Sequence, residues 1–100
     1  MGAPARPLRR VARHLRYHAL MHSPEDHAVL TRVIDALYAA EHSVARLDVI
    51  IRAELADVGE DLLGIVNLLP PGIYSRQRLC DQLNSAITAH GWGRSLGTFE

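Results

Sequence analysis

Lysine is absent, cysteine occurs once, and only five aromatic side chains appear in a chain of 100 residues. The single Cys80 excludes an intramolecular disulfide and suits a reducing compartment. With so few aromatics and no sustained apolar/polar alternation, strand signals are poor. No apolar run approaches the ~18 residues a membrane helix needs. The longest, Leu62 to Leu69, is broken by Gly64 and Asn67. Net charge is missing too, because eleven arginines balance eleven acids. That excludes both a uniformly basic nucleic-acid binder and an acidic DNA mimic. Arginine as the only strong base, beside 13 alanines, has the flavour of GC-rich bacterial or phage coding.

What is present is helical spacing, and 27 Leu, Val and Ile residues to fill one small core. The expected fold is all-α, a small bundle of four to five helices with an irregular Gly-rich C-terminal tail, forming a single domain over residues 1–100. Its parts are a basic helix within 1–22, acidic central helices within 23–69, a C-terminal helix over 75–90 and a tail over 91–100. The neutral total hides a segregation: these parts carry +5 over residues 1–22, −6 over 23–61 and +1 over 62–100.

The spacing predicts a first helix over Pro7–Met21. Leu8, Val11, Ala12, Leu15 and Ala19 share one face, and Arg6, Arg9, Arg10, Arg13 and Arg16 lie roughly opposite. An Arg-rich, acid-free start has the composition of a transit peptide, but the first serine is Ser23, so a cytoplasmic protein is expected. Ser23, Pro24, Glu25 and Asp26 then form a strong helix start.

No Gly or Pro occurs between Glu25 and Val58. One helix over that span is awkward in so small a domain, so a break is expected near His42–Ser43, with Ser43 as the next cap. The apolar stripe is read onward through Val44, Leu47, Ile51, Leu55, Val58 and Leu62, which leaves Val49 and Ile50 as exposed apolar positions. Gly59 invites another interruption, and Glu60–Asp61 open a short apolar helix that Pro70-Pro71-Gly72 ends. Ser75 caps the last helix, whose buried stripe is Leu79, Cys80, Leu83, Ala86 and Ile87 and whose left-handed stop is Gly91. Trp92 and Phe99 are expected to pin the tail. No internal repeat is visible.

The chemistry-bearing groups are few. His14, His18 and His22 lie on successive turns of the first helix, too spread along its axis to close on one metal ion, so they are weak metal candidates. No phosphate loop, zinc-protease motif or nucleophile elbow occurs, and Cys80 sits on an apolar stripe, so no enzyme and no cofactor are expected. Gly91-Trp92-Gly93 follows a helix rather than a strand and does not qualify as a dinucleotide fingerprint. The candidate partner-binding residues are Arg6, Arg9, Arg10, Arg13 and Arg16 on the first helix, with Arg76, Arg78, Trp92 and Arg94. Residues 60–90 also allow a loose helix-turn-helix, with Arg76 and Arg78 near the start of its second helix.

The stretch Leu62-Leu63-Gly64-Ile65-Val66-Asn67-Leu68-Leu69-Pro70-Pro71-Gly72-Ile73-Tyr74-Ser75-Arg76-Gln77-Arg78-Leu79-Cys80-Asp81-Gln82-Leu83-Asn84-Ser85-Ala86-Ile87, followed by Gly91-Trp92-Gly93, resembles small phage or mobile-element anti-CRISPR proteins of the type I-F inhibitor class. The resemblance implies a non-enzymatic protein in the bacterial host cytoplasm. It would bind the CRISPR RNA-guided surveillance complex at its large or backbone subunits and block target DNA. Balanced charge favours steric occlusion over DNA mimicry. A small DNA-binding regulator and a helical homo-oligomer subunit are the alternatives, and no membrane partner is expected.

Overall fold

The computed structural model describes residues 24–100. The predicted basic helix, its arginines, Ser23 and His14, His18 and His22 lie outside the described residues. The element order is α1 (Pro24–Leu37), β1 (Ser43–Ala45), α2 (Arg46–Leu55), α3 (Glu60–Asn67), β2 (Ile73–Ser75), α4 (Arg76–Ala89) and α5 (Gly93–Leu96). Helix dominates, as the spacing predicts, but the two short strands form a sheet that the sequence reading did not expect.

The chain is built twice. Along α1 the buried apolar residues are Leu30, Val33, Ile34 and Leu37, and 32 positions later Leu62, Ile65, Val66 and Leu69 repeat the pattern. From β1 into α2 they are Val44, Val49, Ile50 and Ala53, and 30 positions later Tyr74, Leu79, Cys80 and Leu83 repeat it. The strands pair antiparallel with Val44 opposite Tyr74, Ser43 opposite Ser75 and Ala45 opposite Ile73. Equivalent residues meet at the centre, which is the register a two-fold relation between the halves requires. Each half is a helix, a strand and a second helix. Side-chain identity is largely different between them, so the repeat is carried by burial and is not visible as sequence similarity.

Three side chains tie one half to the other. Arg46 donates through Nε to the Leu69 carbonyl at 2.6 Å and through its guanidinium to the Asn67 carbonyl at 2.9 Å, capping the end of α3. Its counterpart Arg76 pairs with Asp35 near the end of α1 at 2.7 Å and donates to the Glu100 carbonyl at 3.0 Å. Tyr38 donates to the Tyr74 carbonyl at 2.8 Å. Tyr74 is fully buried, donates its own hydroxyl to the Pro70 carbonyl, and lies under the Arg78 guanidinium.

The break near His42–Ser43 is present, but its chemistry differs from expectation. Ser43 lies in β1 and caps nothing. The cap position of α2 is Ala45, whose backbone N–H reaches the Asp48 carboxylate at 3.4 Å. Because an extended strand separates α1 from α2, the helical phase restarts at Arg46. Val49 and Ile50 therefore point into the core, while Leu47, Ile51 and Leu55 point out, the reverse of the predicted stripe.

Both second helices end in the same way. In α4, Gly91 N–H donates to Thr88 and Trp92 N–H to Ile87, with Gly91 in the expected left-handed conformation at φ 74°. In α2, Asp57 N–H donates to Glu54 and Val58 N–H to Ala53, with Asp57 itself left-handed at φ 58°. The interruption thus lies at Asp57, and Gly59 serves as the cap position of α3. Ser75 caps α4 as predicted, its hydroxyl accepting from Arg78 N–H at 3.2 Å.

The tail is more ordered than its glycines suggest. It carries α5 and buries Leu96 and Phe99. Asn84 clamps Phe99 from both sides, donating to its carbonyl and accepting from its N–H, each at 2.9 Å. His27 stacks on the Phe99 ring with centroids 4.5 Å apart.

The two cross-half arginines should differ in weight. Arg46→Ala leaves helix-end carbonyls without their charged donor and should cost about 1.5–3 kcal/mol. Arg76→Ala removes a more solvated ion pair and should cost no more than about 1 kcal/mol. Urea unfolding of both variants measures the difference.

Candidate functional site

A surface site becomes legible when the two halves are compared position by position. On α2, Leu47, Ile51 and Leu55 succeed one another at intervals of four residues, so they share one face. Their exposures are 61%, 45% and 76%. The equivalent positions on α4 are Gln77, Asp81 and Ser85, all exposed. The same backbone position in the same fold therefore accepts polar residues, as a solvated helix face ordinarily has. The described fold thus accepts a polar residue at each of these places in one half and carries an exposed apolar one in the other.

Ile51 and Leu55 of this row line a groove between α1 and α2 of about 510 Å³, with Ala36, Leu37, Ala40 and Val44 on its floor and Glu41, Asp48 and Arg52 at its edge, and Leu47 extends the apolar row beyond it. A second depression continues it along α1 past Val29, Val33 and Ala56, and shares Ala36 and Arg52 with it. Small side chains on the floor allow close approach of another backbone, and the apolar walls suit the buried side of a helix. The matching cleft in the second half, between α3 and α4, holds about 260 Å³ and is lined by Ile65, Leu68, Leu69, Gln82, Ser85 and Ala86.

The described body is acidic. Residues 24–100 hold all eleven acids and six of the eleven arginines, and the other five arginines precede Pro24.

The sequence-predicted binding residues are dispersed. Arg6, Arg9, Arg10, Arg13 and Arg16 lie outside the described residues. Arg76 is engaged with Asp35 and Glu100, so it is not the free phosphate-facing group expected. Arg78 is exposed over Tyr74, and Arg94 is exposed on α5. Trp92 packs partly buried against the core beside His90, consistent with an anchor for the tail. No helix-turn-helix forms, because β2 separates α3 from α4 and pairs with β1. Val49 and Ile50 are core residues, which withdraws them as a surface for oligomerisation.

Cys80 lies in the core as predicted, and burial pushes its thiol above the ordinary value of 9.0. Burial likewise raises the Tyr38 hydroxyl above 10.0. Among the described residues, no three His, Cys, Asp or Glu side chains gather as a metal ion would need. No described helix is long and apolar enough to cross a membrane. Comparison of the chain with protein-family models, with curated proteins and with solved structures gives no match.

Two outcomes follow from this geometry. Both raised groups are neutral in the folded chain at neutral pH, and the unfolded chain releases their protons sooner as pH rises. Their stabilising contribution is complete below the ordinary values of 9.0 and 10.0 and is lost as pH climbs through the folded ones. Unfolding midpoints should therefore fall from about pH 9 upward, with a smaller fall in Cys80→Ala. Trp92→Ala should lower stability by roughly 1–3 kcal/mol through lost apolar burial, measured by thermal or urea unfolding.

Proposed function

We propose that this chain is a protein-binding module that receives an amphipathic helical segment in the groove between α1 and α2. The observation that carries the proposal is the row Leu47, Ile51 and Leu55, set where the duplicated half has Gln77, Asp81 and Ser85. Burying such a row supplies the apolar centre of an interface, and at the edge Glu41 and Asp48 outnumber Arg52, which favours a partner with basic flanks.

The resemblance of residues 62–87 to type I-F anti-CRISPR inhibitors supplies a definite candidate target, the CRISPR RNA-guided surveillance complex, with action by steric occlusion of its DNA path. Most apolar residues in that stretch, from Leu62 to Ile87, are core residues, so they frame the module and the contacts belong to α2. The action is cytoplasmic and stoichiometric in this reading, with no bond made or broken.

The test exchanges the α2 row for its own counterpart. The triple variant Leu47→Gln, Ile51→Asp, Leu55→Ser should stay folded, with native near-UV circular dichroism and a cooperative unfolding transition. It should lose co-elution with the purified type I-F surveillance complex, which the parent chain retains. Binding that survives the exchange overturns the α2 site. Failure of the parent chain itself to co-elute overturns that target, and pull-down from a bacterial lysate with parent and variant in parallel then identifies any partner lost with the row.

A further inference from the structure

Charge divides the α1–α2 groove lengthwise. Glu41 and Asp48 stand together at the end nearest β1. The depression of about 240 Å³ that continues the groove brings in Arg32, and it shares Arg52 with the main groove. One end is therefore acidic and the other basic, with the apolar floor between them. All four charged residues are exposed. The cleft between α3 and α4 has no charged side chain in its lining, so the fold does not impose this arrangement on a groove of its kind.

A helix carries a matching asymmetry, about +0.5 of an elementary charge at its N-terminus and about −0.5 at its C-terminus. Carboxylates attract its first turn, and guanidinium groups attract its last. We propose that the groove takes its partner helix in one direction, with the N-terminus at Glu41 and Asp48 and the C-terminus at Arg32 and Arg52. The segment it selects has an apolar stripe, Lys or Arg in the first turn and Asp or Glu in the last. This inference rests on the groove reading above and adds the chemistry and direction of the occupant.

The dimensions suit a short helix. Val29 to Leu37 covers about 12 Å of α1 at ~1.5 Å per residue, and the floor continues past the helix end to Ala40. A segment of about twelve residues, about 18 Å long, reaches from one charged end to the other. Ala36 and Ala40 are small and exposed, which lets its backbone come close. A basic first turn and an acidic last turn oppose the segment's own macrodipole, so such a segment is a weak helix when free. The groove supplies the opposite charges at both ends, and docking removes water that would otherwise weaken them. The charges at the rim stay within reach of salt.

Two stapled peptides of about twelve residues test the direction. They share one composition and one leucine stripe, and a staple on the solvent face equalises their free helicity. One carries lysines in its first turn and glutamates in its last, and the other carries the reverse. Each is labelled with a fluorophore and titrated with the full chain by anisotropy. The lysine-first peptide should bind about tenfold more tightly at low salt, and the difference should shrink as salt rises. The variant Glu41→Arg/Arg32→Glu makes each end neutral and leaves Asp48 at the start of α2. It should remove the preference and keep the binding. A spin label on the N-terminus of the lysine-first peptide should broaden amide signals around Glu41 and Asp48 and spare those around Arg32. Equal affinities for the parent chain, tighter binding of the glutamate-first peptide, or broadening centred on Arg32 overturns the proposal. Absence of binding by both peptides at about millimolar concentration also overturns it, and doubled mass of the chain in solution then gives the groove to a second copy. Equal binding that is lost in the Leu47→Gln, Ile51→Asp, Leu55→Ser variant removes this inference and leaves the binding module standing. Binding that survives that exchange overturns the α2 site.

Discussion

The antiparallel contact of Val44 with Tyr74 is the constraint on which the described structure depends. Two strands of three residues have little stability of their own, since an isolated two-stranded ribbon is marginal in water. Here each strand leads straight into a helix, so the pairing fixes where α2 and α4 begin and at what angle. The arginine that opens each helix then reaches across to the other half, Arg46 to the end of α3 and Arg76 to Asp35. The central strand residues are buried on the core side, and the helices bury the stripes that follow them. Register, helix start and core face are set together. A one-residue slip in the strands would turn the buried centre of the sheet outward.

Duplication makes the surface interpretable. The halves solve the same folding problem with different side chains, so each serves as a control for the other. Where they agree in character, as at Val49 and Leu79 or Ala53 and Leu83, the fold demands an apolar residue. Where they differ, the fold accepts either character. Leu47, Ile51 and Leu55 are such a difference along one face, and Ile51 and Leu55 line the groove between α1 and α2.

Much of the fold was legible in the sequence, and unevenly so. The last helix could be read from Ser75 to Gly91 because its cap, stripe and left-handed stop are all local signals. The pairing of Pro70-Pro71-Gly72 with a helix end was legible for the same reason. The strands were not, because three-residue strands are too short to show alternation, and Ser43–Ala45 lies in a run with no Gly or Pro. Without that strand the stripe keeps Val44 buried but runs out of phase at Leu47, Ile51 and Leu55. An apolar stripe read onward from α1 across the expected break assigns Leu47, Ile51 and Leu55 to the core, whereas a helix that restarts at Arg46 exposes them. The candidate site was therefore hidden inside what looked like core, and the repeat was hidden because only burial repeats. Asp57 gave no signal either, since an aspartate adopts the left-handed conformation that glycine usually marks.

By itself the sequence determined the helical class, the five arginines set without an acid ahead of the acidic body, the buried place of Cys80 and the limits of the last helix. Each follows from composition or from signals within one or two turns of chain. The tertiary structure decided which apolar face of α2 is core, that Arg76 is engaged with Asp35, and that two halves share one plan. Those depend on contacts between Val44 and Tyr74, or between Arg46 and Asn67, that are separated by more than 20 residues in the chain. Local spacing carries no information about such partners, because the free energy that selects them arises only when both halves close on a common core.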